Sequence, residues 1–131
     1  MLELFHDITS AASYVAVTRV QALADDGVEV RFHGVDMRGL AATLPVSLDT
    51  LAELEHVRHA AQELGIVLCR PRVSPPTAAA HILGDLAESL DLGAAWRTAC
   101  YQAFWERGLD LGDVEILAEI GEACGLDPDD L

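Results

Sequence analysis

Residues 1–38 contain the pattern that most restricts the fold. Apolar and polar side chains alternate through residues 28–34, Val-Glu-Val-Arg-Phe-His-Gly, which is typical of a β-strand with one buried face. An apolar strand is predicted at Leu2–His6, and a helix at 11–26 that Gly27 ends. A strand, a helix and a strand at this spacing form a βαβ unit. The two strands are therefore expected to be parallel, with a right-handed crossover.

No further strand is predicted after Gly39, where the apolar spacing changes to that of helices. Glycine and proline divide the rest of the sequence into four helices. The first is expected to be capped by Ser47, or by a capping box of Thr50 and Glu53, and the last by Asp113. The four helices are predicted at about residues 48–64, 77–90, 94–107 and 114–124.

These elements predict a single α/β domain over residues 1–131, in two parts. Residues 1–38 form the βαβ unit, and residues 39–131 form an all-helical subdomain of about four helices. The chain of 131 residues, 51% of them hydrophobic, is long enough to bury a core. The core is expected to hold the aromatic side chains of Trp96, Phe104 and Trp105.

The charge of the chain restricts its partners. The sequence has eight arginines, no lysine and 22 acidic residues, which gives a net charge of −14. Nucleic acids and anionic membranes attract basic patches, so neither is an expected partner. The N-terminus lacks a basic segment followed by an apolar run, and no apolar stretch reaches the roughly 20 residues of a membrane span. A cytoplasmic location is therefore predicted.

The cysteines do not form a recognisable motif. Cys69, Cys100 and Cys124 lie far apart without a Cys-x-x-Cys pair, so neither a dithiol redox motif nor a zinc knuckle is predicted. Their odd number favours reduced, mostly buried thiols. Cys69 adjoins Arg70 and is close to Arg72, which could lower its pKa, although an inert, half-buried cysteine is favoured.

The histidines do not predict a metal centre. His56 and His59 could share a metal ion on one helix, but no third ligand is evident, so no metal is predicted. His81 is expected to be a partly buried structural residue. His6 and Asp7 could tune the turn that follows the first strand, or could form a hydrogen-bonded or solvated pair at the end of that strand.

Several segments resemble one known family. The residues Phe5-His-Asp7, followed by Thr9-Ser-Ala-Ala-Ser-Tyr14, resemble the active-site turn of the DsbA-like thioredoxin superfamily. That family includes the DsbA and FrnE-type disulfide oxidoreductases, the 2-hydroxychromene-2-carboxylate isomerases and the kappa-class glutathione transferases. The resemblance implies a thioredoxin-like fold and a thiol-linked oxidoreductase, isomerase or transferase lineage. Two later regions also resemble the family. Residues 76–81 resemble its Asn-Thr-x-x-Ala-His helix start. Its region with the pattern Ala-Phe-x-x-Gly-x-Asp, then Leu, then Gly-Leu is resembled by residues 101–110, 113–117 and 125–127.

The active-site turn departs from the family pattern. The oxidoreductases have Cys-Pro-x-Cys where this sequence has Ser10-Ala-Ala-Ser13, which excludes dithiol exchange at that site. Ser10 is similar to the serine of the isomerases and transferases, whose hydroxyl binds a glutathione thiolate, but Ala11 replaces their proline. The resemblance thus implies Ser10 and Ser13 as candidate catalytic residues, and Ser10, Ala11 and Tyr14 as candidate cofactor-binding residues. Glutathione or another small thiol is the implied cofactor, with a small-molecule thiol or aromatic substrate. The alternative is that both serines only cap a helix.

The family's Gly-Val-Pro segment, which supplies a cis-proline, and its last strands have no counterpart in this sequence. Residues 127–130, Asp-Pro-Asp-Asp, are typical of a helix start, so we expect a sequence cut short relative to its fold. In the family the first strand is central, and Leu2–His6 is therefore expected to have an unpaired edge. A homo-oligomer through that edge is plausible. The alternative function is a non-catalytic, truncated relic or a self-associating binding module.

Overall fold

The structure, a computed structural model, describes residues 1–130. It contains two small sheets and five helices. The elements in chain order are β1 (Leu2–His6), α1 (Ala11–Asp25), β2 (Val30–Gly34), β3 (Leu44–Pro45), α2 (Leu48–Glu63), β4 (Val73–Ser74), α3 (Ala78–Ser89), α4 (Gly93–Trp105), α5 (Val114–Cys124) and a short 3-10 turn (Pro128–Asp130).

The predicted βαβ unit is confirmed. Strands β1 and β2 are parallel, and Leu2 lies opposite Val30 at the start of the pairing. The second strand begins two residues later than predicted, because the N–H of Val28 donates to the carbonyl of Leu23 at 3.0 Å. That bond, with Gly27 at φ 97°, satisfies a carbonyl at the C-terminus of α1.

The prediction that no strand follows Gly39 is wrong. Strands β3 and β4 form a two-residue antiparallel pair, with Leu44 opposite Ser74 and Pro45 opposite Val73. A pair this short has no periodicity that a sequence can reveal. The pair joins the segment before α2 to the proline-rich connector before α3.

The four helices after β2 are confirmed, and the structure decides between the two proposed caps of α2. Ser47 is the N-cap residue, and its Oγ accepts from the Thr50 N–H at 3.2 Å. Glu53 does not close a capping box, because its carboxylate reaches α1 instead. Asp113 caps α5 as predicted, with its Oδ1 accepting from the Glu115 N–H at 2.9 Å.

The buried apolar core draws on all five helices, and its largest side chains lie on α4. The predicted core aromatics are confirmed, since Trp96, Phe104 and Trp105 are all at most 2% exposed. Trp105 also fixes the turn after β1, because its indole N–H donates to the carbonyl of Ile8 at 2.7 Å. Burial of each such side chain stabilises the fold by roughly 1.5–3 kcal/mol. Within residues 1–130, no helix is both long and apolar enough to cross a bilayer.

Candidate functional site

The candidate site is the turn between β1 and α1. The turn is closed by the N–H of Ser10, which donates to the carbonyl of Asp7 at 3.0 Å. Ser10 is the N-cap residue of α1, and its Oγ accepts from the Ser13 N–H at 3.1 Å. The first N–H groups of a helix lack partners within the helix and carry a partial positive charge. The turn therefore presents hydrogen-bond donors suited to an anion.

An anion from the chain itself occupies these donors. The Ser10 hydroxyl donates to Oε1 of Glu53 at 2.8 Å, and the Ala12 N–H donates to the same oxygen at 2.9 Å. Glu53 lies on α2, 43 residues from Ser10. Both distances are typical of hydrogen bonds to a charged acceptor. The structure thus shows that the hydroxyl and the helix N-terminus converge on one negatively charged atom.

The sequence did not predict this role for Glu53. Its position three residues after Thr50 favoured a cap on its own helix. Cap patterns are local, and they carry no information about a second helix that packs nearby.

The other predicted site residues face the interior. Ser13 is 9% exposed, and its Oγ accepts from the Asp7 N–H at 3.2 Å. Ala11 is buried, and the Tyr14 ring stacks on Tyr101 with centroids 5.0 Å apart. Burial and the nearby Glu106 carboxylate raise the pKa of Tyr14 to about 12. Of the four predicted site residues, Ser10 is the one whose side chain hydrogen-bonds to α2, and the roles of all four in catalysis or binding stay predictions.

Asp7 joins three elements beneath the turn. It is 2% exposed, its Oδ1 lies 3.0 Å from Nε2 of His81 on α3, and its Oδ2 accepts from the Met37 N–H at 2.9 Å. Burial alone raises the pKa of this carboxyl, but the hydrogen bonds from His81 and the Met37 N–H outweigh burial and lower it. His81 is partly buried, as predicted. The pair of Asp7 and His81 fixes the end of β1 against α3.

His6 belongs to a second buried chain of hydrogen bonds. Its Nδ1 lies 2.8 Å from the hydroxyl of Tyr101 on α4. Burial, and then the positive charges of His81 and Arg97, lower the pKa of His6 to about 4. His6 is therefore neutral at pH 7. Of the two roles considered for His6 and Asp7, a bond between them is not formed, because His6 bonds to Tyr101 on α4 and Asp7 to His81 on α3.

A small cavity lies below this network, between the sheet, α3 and α4. Its volume is about 30 Å³, enough for a water molecule but not for a substrate. Arg97 lines it, with the guanidinium carbon 3.8 Å from the centroid of the Phe32 ring and Nη1 donating to Oε2 of Glu88 at 2.8 Å. The cavity is therefore too small to be a substrate site.

The thiols and the remaining histidines lie apart from the turn in sequence. Cys69 is exposed, so the prediction that it is half-buried is wrong. Cys100 is buried, and burial raises its pKa. His59 lies 3.1 Å from Oε1 of Glu63 on the surface of α2. Among residues 1–130, no three His, Cys, Asp or Glu side chains are grouped to hold a metal ion.

The different exposure of Cys69 and Cys100 predicts different rates of reaction with thiol reagents. In the folded protein Cys69 is expected to react with a disulfide reagent about tenfold or more faster than Cys100, whose thiol is buried and held protonated. Mass spectrometry after timed labelling measures the order. Cys69→Ser should remove the fast phase and leave Cys100 unlabelled until the protein is denatured. Fast labelling of Cys100 in the folded state would contradict the structure.

A comparison with known protein families shows the family of this chain. The model of the DSBA-like thioredoxin domain matches residues 1–131. The chain belongs to the DsbA-like thioredoxin family. The DsbA-like domain thus has the fold that the turn and the two later segments predicted. A curated relative, the uncharacterised protein YwbO of Bacillus subtilis, is 32% identical over 74 residues, and the match covers 51% of this chain and 34% of YwbO.

Solved structures share this fold. A probable DsbA oxidoreductase of Streptomyces coelicolor, SCO1869, superimposes with a TM-score of 0.80 at 24% identity, over 98% of this domain and 64% of that chain. The cytosolic disulfide reductase DsbM of Pseudomonas aeruginosa, solved with GSH, gives 0.75 at 25% identity, over 96% and 66%. A 2-hydroxychromene-2-carboxylate isomerase gives 0.71 at 24% identity, over 99% and 68%. The DsbA-like domain therefore spans about two thirds of the length of these proteins.

Proposed function

We propose that the DsbA-like domain binds the thiolate of a small thiol at Ser10 and the N-terminus of α1. The observation that supports this proposal is the convergence of two donors on one anionic oxygen. The Ser10 hydroxyl and the Ala12 N–H lie 2.8 Å and 2.9 Å from Oε1 of Glu53. The carboxylate oxygen stands where a thiolate sulfur would be held, because both are single anionic acceptors.

The chemistry follows from these donors. A hydroxyl and a helix N-terminus stabilise a thiolate over its thiol, so a bound thiol ionises at lower pH and becomes a better nucleophile. The turn has no cysteine, so it cannot form a mixed disulfide of its own. The bound thiol would supply the nucleophile, and Ser10 would hold it.

Glu53 competes with such a ligand for the same donors. A thiolate can take the hydrogen bonds of Ser10 and Ala12 only if the Glu53 carboxylate moves away. Glu53 is half-buried rather than enclosed, which leaves it room to turn toward solvent. We propose that Glu53 weakens thiol binding and holds the turn in shape when no thiol is bound.

The relatives indicate which thiol to test first. The DsbM structure was solved with GSH, and DsbM is described as a cytosolic disulfide reductase. Glutathione is therefore the first probe, and the cytoplasmic location predicted from the sequence stays a prediction. A small aromatic substrate, as in the isomerase lineage, is the second choice.

Calorimetry with glutathione tests the thiol site. The wild type is expected to bind glutathione, and Ser10→Ala to bind it about fivefold or more weakly, because one charge-assisted hydrogen bond is lost. Glu53→Ala is expected to bind about fivefold more tightly, because the competing carboxylate is gone. Equal binding by wild type and Ser10→Ala, or no binding by wild type and Glu53→Ala alike, would refute the site.

A matched control lies on the same helix. Glu55 is an exposed residue of α2 whose Oε1 pairs with Arg58 at 2.9 Å. Glu55→Ala removes the same charge without touching the turn, so thiol binding should not change. A gain in affinity for Glu55→Ala as large as that for Glu53→Ala would show a general charge effect on an acidic protein.

The second candidate is a non-catalytic role. It is favoured by the same Glu53 contact, because the donors of the turn already have a partner. Absence of thiol binding in the Glu53→Ala variant as well as in the wild type would support this non-catalytic role.

A further inference from the structure

A groove lies between α1 and α4. Its volume is about 260 Å³, close to the roughly 300 Å³ at which known ligand pockets begin. The lining residues recur every three or four positions on each helix, from Tyr14 to Ala22 on α1 and from Ala94 to Glu106 at the end of α4. Residues 64–66, at the end of α2, complete the wall. None of the lining residues belongs to β1, so the groove is separate from the edge at which further strands could join the sheet.

Arg97 places a positive charge in this groove. Its side chain is 11% exposed, and its Nη1 donates to Oε2 of Glu88 at 2.8 Å, while its Nη2 donates to Oε1 of Gln21 at 3.3 Å. A guanidinium has five N–H donors. Within residues 1–130 the Nε–H is buried without a partner, so the hydrogen bonds do not saturate the group. Arg97 therefore keeps donors for a carboxylate, in a place where little water weakens the attraction.

Glu106 places a negative charge at the far end of the groove. It follows Arg97 by nine residues on α4, which is about 13 Å along a helix. Its carboxylate is half-buried near the Tyr14 hydroxyl, and its Oε1 accepts from the Val67 N–H at 3.4 Å. Among the described residues that line the groove, Arg97 is the only cation. Glu106 thus has no cationic partner at its own end, and an ammonium group would supply one.

Uncharged polar side chains lie between the two charged ends. Thr18 stands on α1, and Thr98 and Gln102 stand on α4. The Thr18 hydroxyl donates to the carbonyl of Tyr14 at 2.8 Å, which leaves its oxygen free to accept. Hydroxyl and amide groups can pair with either the N–H or the C=O of a peptide bond. The middle of the groove is therefore suited to a peptide backbone.

We propose that this groove binds a short peptide with free termini, with its carboxylate at Arg97 and its ammonium at Glu106. A hydrogen bond of about 3 Å at each end leaves roughly 7–8 Å between the charged groups of the ligand. An extended chain advances about 3.3–3.6 Å per residue, so two or three residues fit. A longer peptide cannot place both termini at once. Ser10 is not part of the groove, so this inference goes beyond the thiol site.

A nuclear magnetic resonance titration with trialanine tests the proposal. Saturable shifts are expected in α1 and α4, with a dissociation constant of about 0.1–1 mM. N-acetyl-trialanine and trialanine amide each lose one ion pair, so each is expected to bind about tenfold or more weakly. Equal binding by the uncapped and both capped peptides would overturn the proposal. The absence of saturable shifts up to about 10 mM trialanine would overturn it as well.

Variants locate the peptide in the groove. Glu106→Gln should weaken trialanine binding about tenfold but leave the weak binding of N-acetyl-trialanine unchanged, because that peptide has no ammonium. Thr98→Trp fills the groove from an exposed position without a change of charge, and it should abolish the shifts. The matched control is Glu119→Gln on the exposed surface of α5, which should bind like wild type. Equal losses in Glu106→Gln and Glu119→Gln would overturn the proposal. Ser10→Ala should also bind trialanine like wild type, and a loss there would place the peptide at the thiol site instead.

Discussion

Asp7→Ala is expected to lower the free energy of unfolding by about 3–5 kcal/mol. The carboxylate accepts from His81 at 3.0 Å and from the Met37 N–H at 2.9 Å, and it is 2% exposed. Alanine cannot accept either bond, and both donors would be left without a partner in a site closed to water. The loss is measured by urea denaturation followed by circular dichroism.

Two variants show whether the loss comes from the Asp7 network. Asp36→Ala removes an acceptor for the Gly39 N–H in a more exposed loop, and about 1 kcal/mol or less is expected. Combining Asp7→Ala with His81→Ala should cost less than the sum of the two single losses, because the two side chains share one interaction. Additive losses, or an equal loss for Asp36→Ala, would show that Asp7 does not hold these elements together.

Stability is expected to fall by about 3 kcal/mol as the pH drops from 6.5 to 4, on account of His6. The folded protein lowers the pKa of His6 from 6.5 to about 4. Between these values the unfolded chain binds a proton that the folded chain does not, so stability rises with pH in this window. Above pH 6.5 His6 adds nothing to the pH dependence of stability. Below pH 4 the loss of stability due to His6 is complete. Denaturant midpoints across this range measure the slope.

The pH dependence can be assigned by substitution. His6→Gln removes the titrating group but keeps a hydrogen-bonding side chain for Tyr101, so the slope between pH 6.5 and 4 should become much shallower. His59→Gln is the control, because His59 has 86% of its side chain exposed and should leave the slope unchanged. Asp7 adds its own loss only at lower pH, since its pKa lies below its ordinary value of 3.8. An unchanged slope in His6→Gln would refute the assignment.

Much of the fold could be predicted because its signals are local. The alternation of residues 28–34 predicted β2, and its parallel pairing with β1 followed from the βαβ spacing. Asp113 marked the start of α5, and Ser47 was one of two candidates for the start of α2, through cap chemistry that involves only neighbouring residues. The two-residue strands β3 and β4 could not be predicted, because their pairing depends on contacts between distant segments.

The candidate site was predicted only in part. The sequence placed Ser10 at the start of α1 and showed that the turn has no cysteine, which are both local facts. It could not show that Ser13 and Tyr14 face the core, because the direction of a side chain around α1 depends on which helices cover it. That covering is a property of the packed molecule.

The sequence by itself determined the βαβ unit, the approximate positions of the helices, and the family to which the turn belongs. Only the tertiary structure decided what the turn contacts. Glu53 reaches it from 43 residues away, His81 meets Asp7 from 74 residues away, and Tyr101 meets His6 from 95 residues away. The physical reason is that backbone periodicity and caps arise between residues a few positions apart, whereas these hydrogen bonds form only when packing removes distant side chains from water.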